Sequence, residues 1–384
     1  MSLLPLYPED SFMSTLMTHS RFHRLDNMTL KDLRTLDRDK TVVMIPVGMV
    51  EVHGDHLPLG TDNFAVEGST VAAASWLLDS DAELHVLMLP LIPYGTNPVD
   101  DNRPDLFQQA GSVWISRETL KRIVSEVAEH IIRFGFKWVF PMGFHGGPDQ
   151  SVALDEICSE MRAKNAGLVM FEPMGYVMAG AEKDITPGIA TLLGRPLTTK
   201  EEVALKTSIH ASMFETSMML YLRPDLVHHS YKTLRTIEWR EMFEMPDWPG
   251  YIGAGPSHSD AEVGGAVLRW RGVRAGALIR RAMAGEDLSA LLRHPKWLQE
   301  DRMEAEIPVT PAATPAPPYL DSKPEMQISA EDLRDRIDAA QAKTETKTDA
   351  VPDTTPSSSM MKTEPRIDKP QLTDPSTPPD GMTP

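Results

Sequence analysis

The stretch Thr41-Val42-Val43-Met44-Ile45-Pro46-Val47 decides the fold, because it is an unbroken apolar run of strand length. Such a run is typical of a strand that is buried on both faces, as strands of parallel sheets are. Three further runs of the same kind follow, at 84–91, 138–142 and 168–171. Helical patterns separate or follow them, at 64–78, 117–134, 150–164 and 200–222. This alternation predicts an α/β fold: a three-layer α/β/α domain with a largely parallel central sheet.

Polar side chains follow this first strand directly, in the stretch Glu51-Val52-His53-Gly54-Asp55-His56-Leu57-Pro58-Leu59-Gly60-Thr61-Asp62. In extended chain Glu51 and His53 point to the same side. A carboxylate beside an imidazole suits Zn²⁺, Mn²⁺ or Fe²⁺. Ligands of such sheets bind beyond the carboxyl ends of the strands, so a metal site is expected here. A structural histidine is the other interpretation of His56.

A second polar motif follows a later strand. Trp138-Val139-Phe140-Pro141-Met142 leads into Gly143-Phe144-His145-Gly146-Gly147. A histidine flanked by glycines is free to approach a ligand closely, although the glycines are also compatible with a simple tight turn. Because both motifs follow strands of one predicted sheet, we expect them to converge.

These motifs resemble the creatininase family of amidohydrolases. The resemblance rests on four stretches in the family's order, namely Pro46 to Asp62, His145-Gly146-Gly147, His210 to Leu220, and Gly253 to Gly264. It covers roughly residues 25 to 290. Four ordered motifs are more specific than any one of them, and they imply a creatininase-like fold and a metal-dependent hydrolase.

The resemblance implies two divalent metal ions per chain, zinc with zinc, manganese or iron. By analogy one ion is held by Glu51, Asp62 and His145, and the other by His53, Asp62 and Glu215. Asp62 then bridges the two ions, which together hold a hydroxide and polarise the bond under attack.

The same resemblance makes His210 the proton shuttle, a role that suits an imidazole near neutral pH. A helix-capping histidine is the alternative. His210 and Glu215 are five residues apart and do not share one face of a helix. We therefore expect His210 at the start of a helix and Glu215 inside it.

The sequence departs from the creatininases proper near the proposed substrate. They carry a glutamate where this chain has Gly147, which argues against creatinine as the substrate. The candidate substrate-binding residues are Gly146, Gly147, Arg103 and Trp248. Arg103 lies in a polar segment that either recognises a polar substrate or is a solvated loop. Trp248 lines the pocket, or is a core or interface residue.

Three hypotheses about function follow. The first is an amidohydrolase that cleaves a non-peptide C–N bond of a small cyclic amide or formamide. The second keeps the metals but opens the ring of a lactone or keto-cyclitol in sugar or inositol catabolism, with peptide trimming as a weaker variant. The third is a non-catalytic scaffold that binds partners through its tail.

Composition limits the remaining possibilities. The net charge of −17 provides no basic surface for nucleic acid or anionic lipid. One cysteine and the absence of a signal-like start or an apolar span predict a cytoplasmic protein without membrane contact. We expect an N-terminal extension at 1–24, a hydrolase domain at 25–300 and a Pro-rich disordered tail at 301–384. A homo-oligomer, hexameric in the family, is implied by the resemblance alone.

Overall fold

The apolar run at the start of the domain forms the strand Thr41–Val47 with the predicted bounds, and every residue of it is buried. A computed structural model describes residues 12–96, 111–242, 244–245, 248–288 and 291. Arg103, the tail at 301–384 and the first eleven residues lie outside this part of the chain. Among the described residues, no helix is long and apolar enough to cross a membrane.

The central sheet has five strands in the order β1-β3-β2-β4-β5, and every neighbouring pair is parallel. The strands are β1 (Phe22–Arg24), β2 (Thr41–Val47), β3 (His85–Met88), β4 (Trp138–Gly143) and β5 (Val169–Met170). Residues 22–24, which precede the predicted domain, thus supply an edge strand. The predicted parallel sheet is confirmed.

Helices cover both faces of the sheet, as the three-layer prediction requires. They are α1 (Phe12–Met17), α2 (Leu30–Thr35), α3 (Thr61–Ser80), α4 (Arg117–Arg133), α5 (Pro148–Lys164), α6 (Pro173–Leu193), α7 (Thr199–Thr207), α8 (Met213–Leu222), α9 (Trp239–Met242) and α10 (Ala261–Met283). Four 3₁₀ turns lie at Leu25–Asn27, Pro224–Leu226, His229–Thr233 and Pro256–His258.

Alternate residues of β2 enter two separate hydrophobic cores. Val42 and Met44 pack with α3, α6, α8 and α10 on one face. Val43, Ile45 and Val47 pack with α4 and α5 on the other. Burying one such side chain is worth about 1.5–3 kcal/mol, so both layers stabilise the strand. This packing fixes the carboxyl end of β2, which Gly48 follows, among the carboxyl ends of the neighbouring strands.

The segment 200–222, which was expected to be mostly helical, is interrupted in its middle. Helix α7 ends at Thr207, and residues Ser208–His210 form strand β6. This strand pairs antiparallel with β7 (Ile252–Gly253) in a second, two-stranded sheet. Helix α8 then begins after Ser212. Pairing with β7 outweighs the local helical pattern. As a result, His210 lies at the end of a strand and not at the start of a helix.

Two histidines lie side by side on the neighbouring strands β1 and β3. His23 Nε2 lies 3.0 Å from His85 Nδ1, and the two rings are stacked. Burial lowers the pKa of His23, and the nearby His85 lowers it further. Burial likewise lowers the pKa of His85, together with Arg21. A neutral pair is therefore favoured in the folded protein.

We expect acid to weaken the fold at this pair. A lowered folded pKa means that the contribution to stability is complete above about pH 6.5, the value of an unperturbed histidine, and is lost as the pH falls below it. The thermal midpoint between pH 8 and 5 measures this, and His85→Asn should flatten the decline. His130→Asn, at an exposed histidine of α4, is the control. Identical slopes in wild type and His85→Asn would contradict the assignment.

Candidate metal centre

Five polar side chains converge beyond the carboxyl ends of β2 and β4. Glu51 and His53 follow β2, Asp62 lies in the first turn of α3, His145 follows β4, and Glu215 lies in the first turn of α8. All five are buried, with exposed fractions from 0% to 9%. Their positions agree with the expectation that the two strand-end motifs meet.

Two sets of three potential ligand atoms share Asp62. Within each set, one ligand atom from every residue lies within 4.8 Å of the others. The sets are Glu51, Asp62 and His145, and His53, Asp62 and Glu215. These are the groupings that the resemblance implies. A third set, Glu51, His53 and His210, meets the same distance criterion.

The backbone fixes the orientation of His53. Its Nδ1 lies 3.0 Å from the carbonyl oxygen of Glu51, to which an N–H at this position donates. The other ring nitrogen, Nε2, lies 3.5 Å from Asp62 Oδ1 and 3.7 Å from Glu215 Oε2. Holding one imidazole nitrogen on a carbonyl while the other faces carboxylates is the usual arrangement of a metal-binding histidine.

His145 lies on the other side of Asp62. Its Nδ1 is 3.0 Å from Glu51 Oε2 and 3.2 Å from Asp62 Oδ2. The two oxygens of Asp62 therefore face different histidines, His53 and His145. This is the position that a bridging carboxylate requires.

Charges of opposite sign dominate the electrostatics of the centre. Burial acts to lower the pKa of His53, but Asp62 and Glu215 outweigh it and raise that pKa to about 10. Burial opposes Glu51 and Asp62 in the same way at His145, whose pKa is also raised to about 10. Burial alone would raise the pKa of Asp62, but the two histidines hold it far below its usual range. The centre therefore attracts positive charge strongly.

His210 is aimed at the centre by the end of β6. Its Nε2 lies 2.8 Å from the carbonyl oxygen of Val52 and 3.7 Å from Glu51 Oε1. Its ring centroid lies 4.5 Å from that of His53. The expected position at a helix start is replaced by a strand end three residues before α8, whereas Glu215 lies inside the helix as expected.

A strained residue connects His210 to Glu215. Ala211 has φ = 48°, the only positive φ at a non-glycine among the described residues. Such a conformation costs energy and is often kept at functional sites. The Ala211 N–H donates to Glu215 Oε2. The turn lets both side chains reach the centre although they are five residues apart.

The donor set fits a divalent metal ion. Among the described residues, the buried atoms Glu51 Oε2, His53 Nε2 and Asp62 Oδ2 make no hydrogen bond of acceptable geometry, although His145 Nδ1 lies 3.0 Å from Glu51 Oε2 and 3.2 Å from Asp62 Oδ2. Buried polar atoms are normally satisfied, so their convergence favours a cation as the missing partner. Carboxylates and imidazoles without thiolate suit Zn²⁺, Mn²⁺ and Fe²⁺.

The family model for creatininase, described as creatinine amidohydrolase, matches residues 26–274 of this chain. The chain belongs to the creatininase family. The resemblance drawn from the four motifs is thereby confirmed, and with it membership of a family of amidohydrolases.

Individual relatives show how far this likeness extends. Mycofactocin precursor peptide peptidase of Mycolicibacterium smegmatis is 30% identical over 131 residues, which is 33% of this chain and 49% of that protein. The match thus spans about half the length of this curated relative. A tryptophan-to-alanine mutant creatininase has a TM-score of 0.50 and 20% identity, over 69% of this chain and 99% of its own. A glutamate-to-glutamine mutant creatininase of the Zn-Zn type has a TM-score of 0.49 and 19% identity, over 68% of this chain and 98% of its own.

The two glycines after His145 differ in their surroundings in this creatininase-family site. Gly146 is exposed, and an added side-chain carbon there would meet no atom within 4 Å. Gly147 is buried and precedes the first residue of α5. Pro148 takes the first helical position, where a missing N–H is tolerated. Trp248 is buried beside His210, with ring centroids 6.0 Å apart. The substrate-binding roles of these residues stay predictions, and Arg103 lies outside the described residues.

Sequence reasoning missed two buried charges behind the centre. Glu172 precedes α6 and is 4% exposed, and Arg271 lies within α10 and is 1% exposed. Burial lowers the pKa of Arg271 to about 10. Pro173 at the first helical position is a helix-start signal that could have placed Glu172 at the N-cap of α6, although glutamate is not one of the preferred N-cap residues. Nothing in the local sequence distinguishes Arg271 from the solvated arginines of the same helix.

Proposed function

We propose that this creatininase-family protein is a metal-dependent hydrolase that cleaves a non-peptide C–N bond of a small cyclic amide or formamide. The observation that carries the proposal is the pair of buried ligand sets sharing Asp62. Glu51, Asp62 and His145 would hold one divalent ion, and His53, Asp62 and Glu215 the other. When bound, two such ions activate a water molecule and polarise the carbonyl under attack.

The protein's own residues hold and orient these groups. The Glu51 carbonyl fixes His53 with Nε2 toward the carboxylates. Asp62 presents one oxygen to each histidine. The backbone at Ala211 steadies Glu215. Since all five side chains are buried, bulk water is largely excluded, which strengthens every electrostatic interaction in the site.

His210 would move the proton that amide cleavage requires. Its Nε2 faces both Val52 O and Glu51 Oε1. When this nitrogen carries a proton, its N–H can donate to the Val52 carbonyl oxygen, which keeps the imidazole at the edge of the ligand cluster. General acid catalysis matters for a C–N bond because a neutral amine is a far better leaving group than an amide anion. His210 is the side chain that we propose delivers that proton.

A peptide is the second candidate substrate, and one observation favours it. The relative that is 30% identical over 131 residues is named a peptide peptidase. The lactone or keto-cyclitol alternative rested on the polar segment around Arg103, which lies outside the described residues. A hexameric homo-oligomer belongs to the proposal on the family resemblance only.

We expect the Zn²⁺- or Mn²⁺-loaded protein to hydrolyse cyclic amides or formamides, and the stripped protein to do so only after metal is restored. The measurement is product formation by NMR from matched panels of cyclic ureides, formamides, short peptides, lactones and keto-cyclitols. Turnover of peptides alone would select the second candidate. Turnover confined to lactones or keto-cyclitols would contradict C–N cleavage, and a protein that binds no divalent ion would contradict the whole proposal.

A further inference from the structure

The segment that carries His145 is held from behind by two buried charged side chains. Gly143 is the last residue of β4, and His145 follows two residues later. Glu172 contacts Gly143, and Arg271 contacts Phe144. Neither charged residue belongs to the ligand sets.

Glu172 connects the end of β4 to the start of α6. Its Oε1 accepts hydrogen bonds from the N–H of Gly143 at 3.1 Å and of Met174 at 2.8 Å. Its Oε2 accepts from the N–H of Gly175 at 2.7 Å. A helix cap needs only the bonds to Met174 and Gly175. The bond to Gly143 adds a strand that leads directly into the metal centre.

Arg271 fixes the next residue of the same segment. Its guanidinium carbon lies 4.5 Å from the centroid of the Phe144 ring, within the range of a cation–π contact. Its Nη1 donates to Met178 Sδ at 2.9 Å, while its Nε and Nη2 have no hydrogen-bond partner among the described residues. A buried guanidinium with two unsatisfied nitrogens is costly. Such a cost is unusual at a position that serves only packing.

Arg271 lies close enough to the carboxylates of the centre for its charge to act on them. Helix α10 packs against α3, α6 and α8, which carry Asp62, Met178 and Glu215. The carboxylates that act on the guanidinium are those of Glu172, Glu215 and Asp62. The arginine is thus a fixed positive charge near a cluster of negative ones, and its guanidinium carbon lies over the ring of Phe144, the residue next to His145.

We infer that Glu172 and Arg271 form a clamp that positions the Gly143–His145 segment for metal binding. The inference rests on the proposed function, because it presupposes that His145 is a metal ligand. Glu172 holds the segment through the Gly143 backbone, and Arg271 holds it through the Phe144 ring. Both are positioning residues, since neither touches the centre directly.

Two substitutions test the clamp in the full-length protein. Glu172→Gln keeps the size of the side chain but has one acceptor oxygen instead of two, so either Gly175 or both Gly143 and Met174 must turn their N–H groups toward an NH₂ group. Arg271→Lys keeps the charge but replaces the planar guanidinium over Phe144 by a compact ammonium group. Asp260→Ala is the control, because Asp260 caps α10 through two backbone N–H groups and is exposed.

The readout is Zn²⁺ affinity and stoichiometry, measured by competition with a chromophoric chelator, beside the thermal midpoint of the metal-free protein. Loss of an outer-shell partner typically weakens metal binding about 10–100-fold, and we expect this range for Glu172→Gln and Arg271→Lys. Asp260→Ala should lower the midpoint and leave Zn²⁺ affinity unchanged.

Three results would overturn the inference. Unchanged Zn²⁺ affinity in both folded clamp variants refutes the clamp and leaves the proposed function intact. Equal weakening in Asp260→Ala reduces the effect to general destabilisation. Absence of Zn²⁺ from the wild type removes both the proposed function and the clamp. If Glu172→Gln fails to fold, Arg271→Lys decides the question alone.

Discussion

Asp62→Ala is expected to abolish the binding of both metal ions and, with it, hydrolysis. Asp62 Oδ1 lies 3.5 Å from His53 Nε2, and Oδ2 lies 3.2 Å from His145 Nδ1. Each of the two proposed ligand sets includes this carboxylate. Removing it leaves two proposed ligands for each ion. It also removes the negative charge of the carboxylate that both His53 and His145 face.

Metal analysis by mass spectrometry after purification under controlled metal supply measures this effect. We expect about two ions per chain in the wild type, as in other two-metal sites, and none in the variant. Asp55→Ala is a matched control, because Asp55 is an exposed carboxylate in the same loop. Asp62→Asn keeps the shape of the side chain and separates loss of the ligand from loss of packing.

The outcome shows whether Asp62 binds both metal ions or only one of them. Loss of both ions together supports Asp62 as the bridge. Loss of one ion, with the second bound normally, would mean that Asp62 serves a single site and that the overlap of the two sets has no functional meaning. Retention of both ions would show that the cluster around Asp62 is an ion-pair network of the protein itself.

The parts of this fold that were predicted from sequence are those in which local pattern and burial agree. Strand β2 is apolar at every position because both of its faces are covered, and its predicted bounds are the observed ones. Helix α4 has its buried residues at helical spacing, and it was predicted to within one residue. In both elements, the side-chain pattern directly reports the packing.

The parts that were missed depend on contacts between distant segments. Strand β6 forms because β7 pairs with it, some forty residues later in the chain. Helix α6 contains Pro187, a residue that argues against a helix interior, yet the helix continues through it. The candidate ligands were predicted because their motifs are concentrated in short stretches of sequence, and their metal-binding role stays a prediction. Glu172 and Arg271 were not predicted, because their contacts with Gly143 and Phe144 exist only once distant helices and the end of a strand have packed together.

His210→Gln is expected to lower kcat by roughly 10²–10⁴-fold while the metal content stays at the wild-type level, the range typical for loss of a general acid or base. Glutamine can still donate to the Val52 carbonyl, which His210 Nε2 approaches to 2.8 Å. It cannot take up and release a proton near neutral pH. The substitution therefore removes proton transfer and keeps the local hydrogen bond.

Steady-state kinetics on a substrate identified in the panel, together with metal analysis, separates the possible roles of His210. The third ligand set, Glu51, His53 and His210, allows this histidine to bind a metal ion instead. A ligand role predicts loss of metal along with activity, whereas a structural role predicts a lower thermal midpoint with kcat nearly unchanged. His130→Gln, at an exposed position on α4, should change none of these quantities. Only a fall in kcat at full metal occupancy supports the proton shuttle, because proton transfer is then the single function that the substitution has removed.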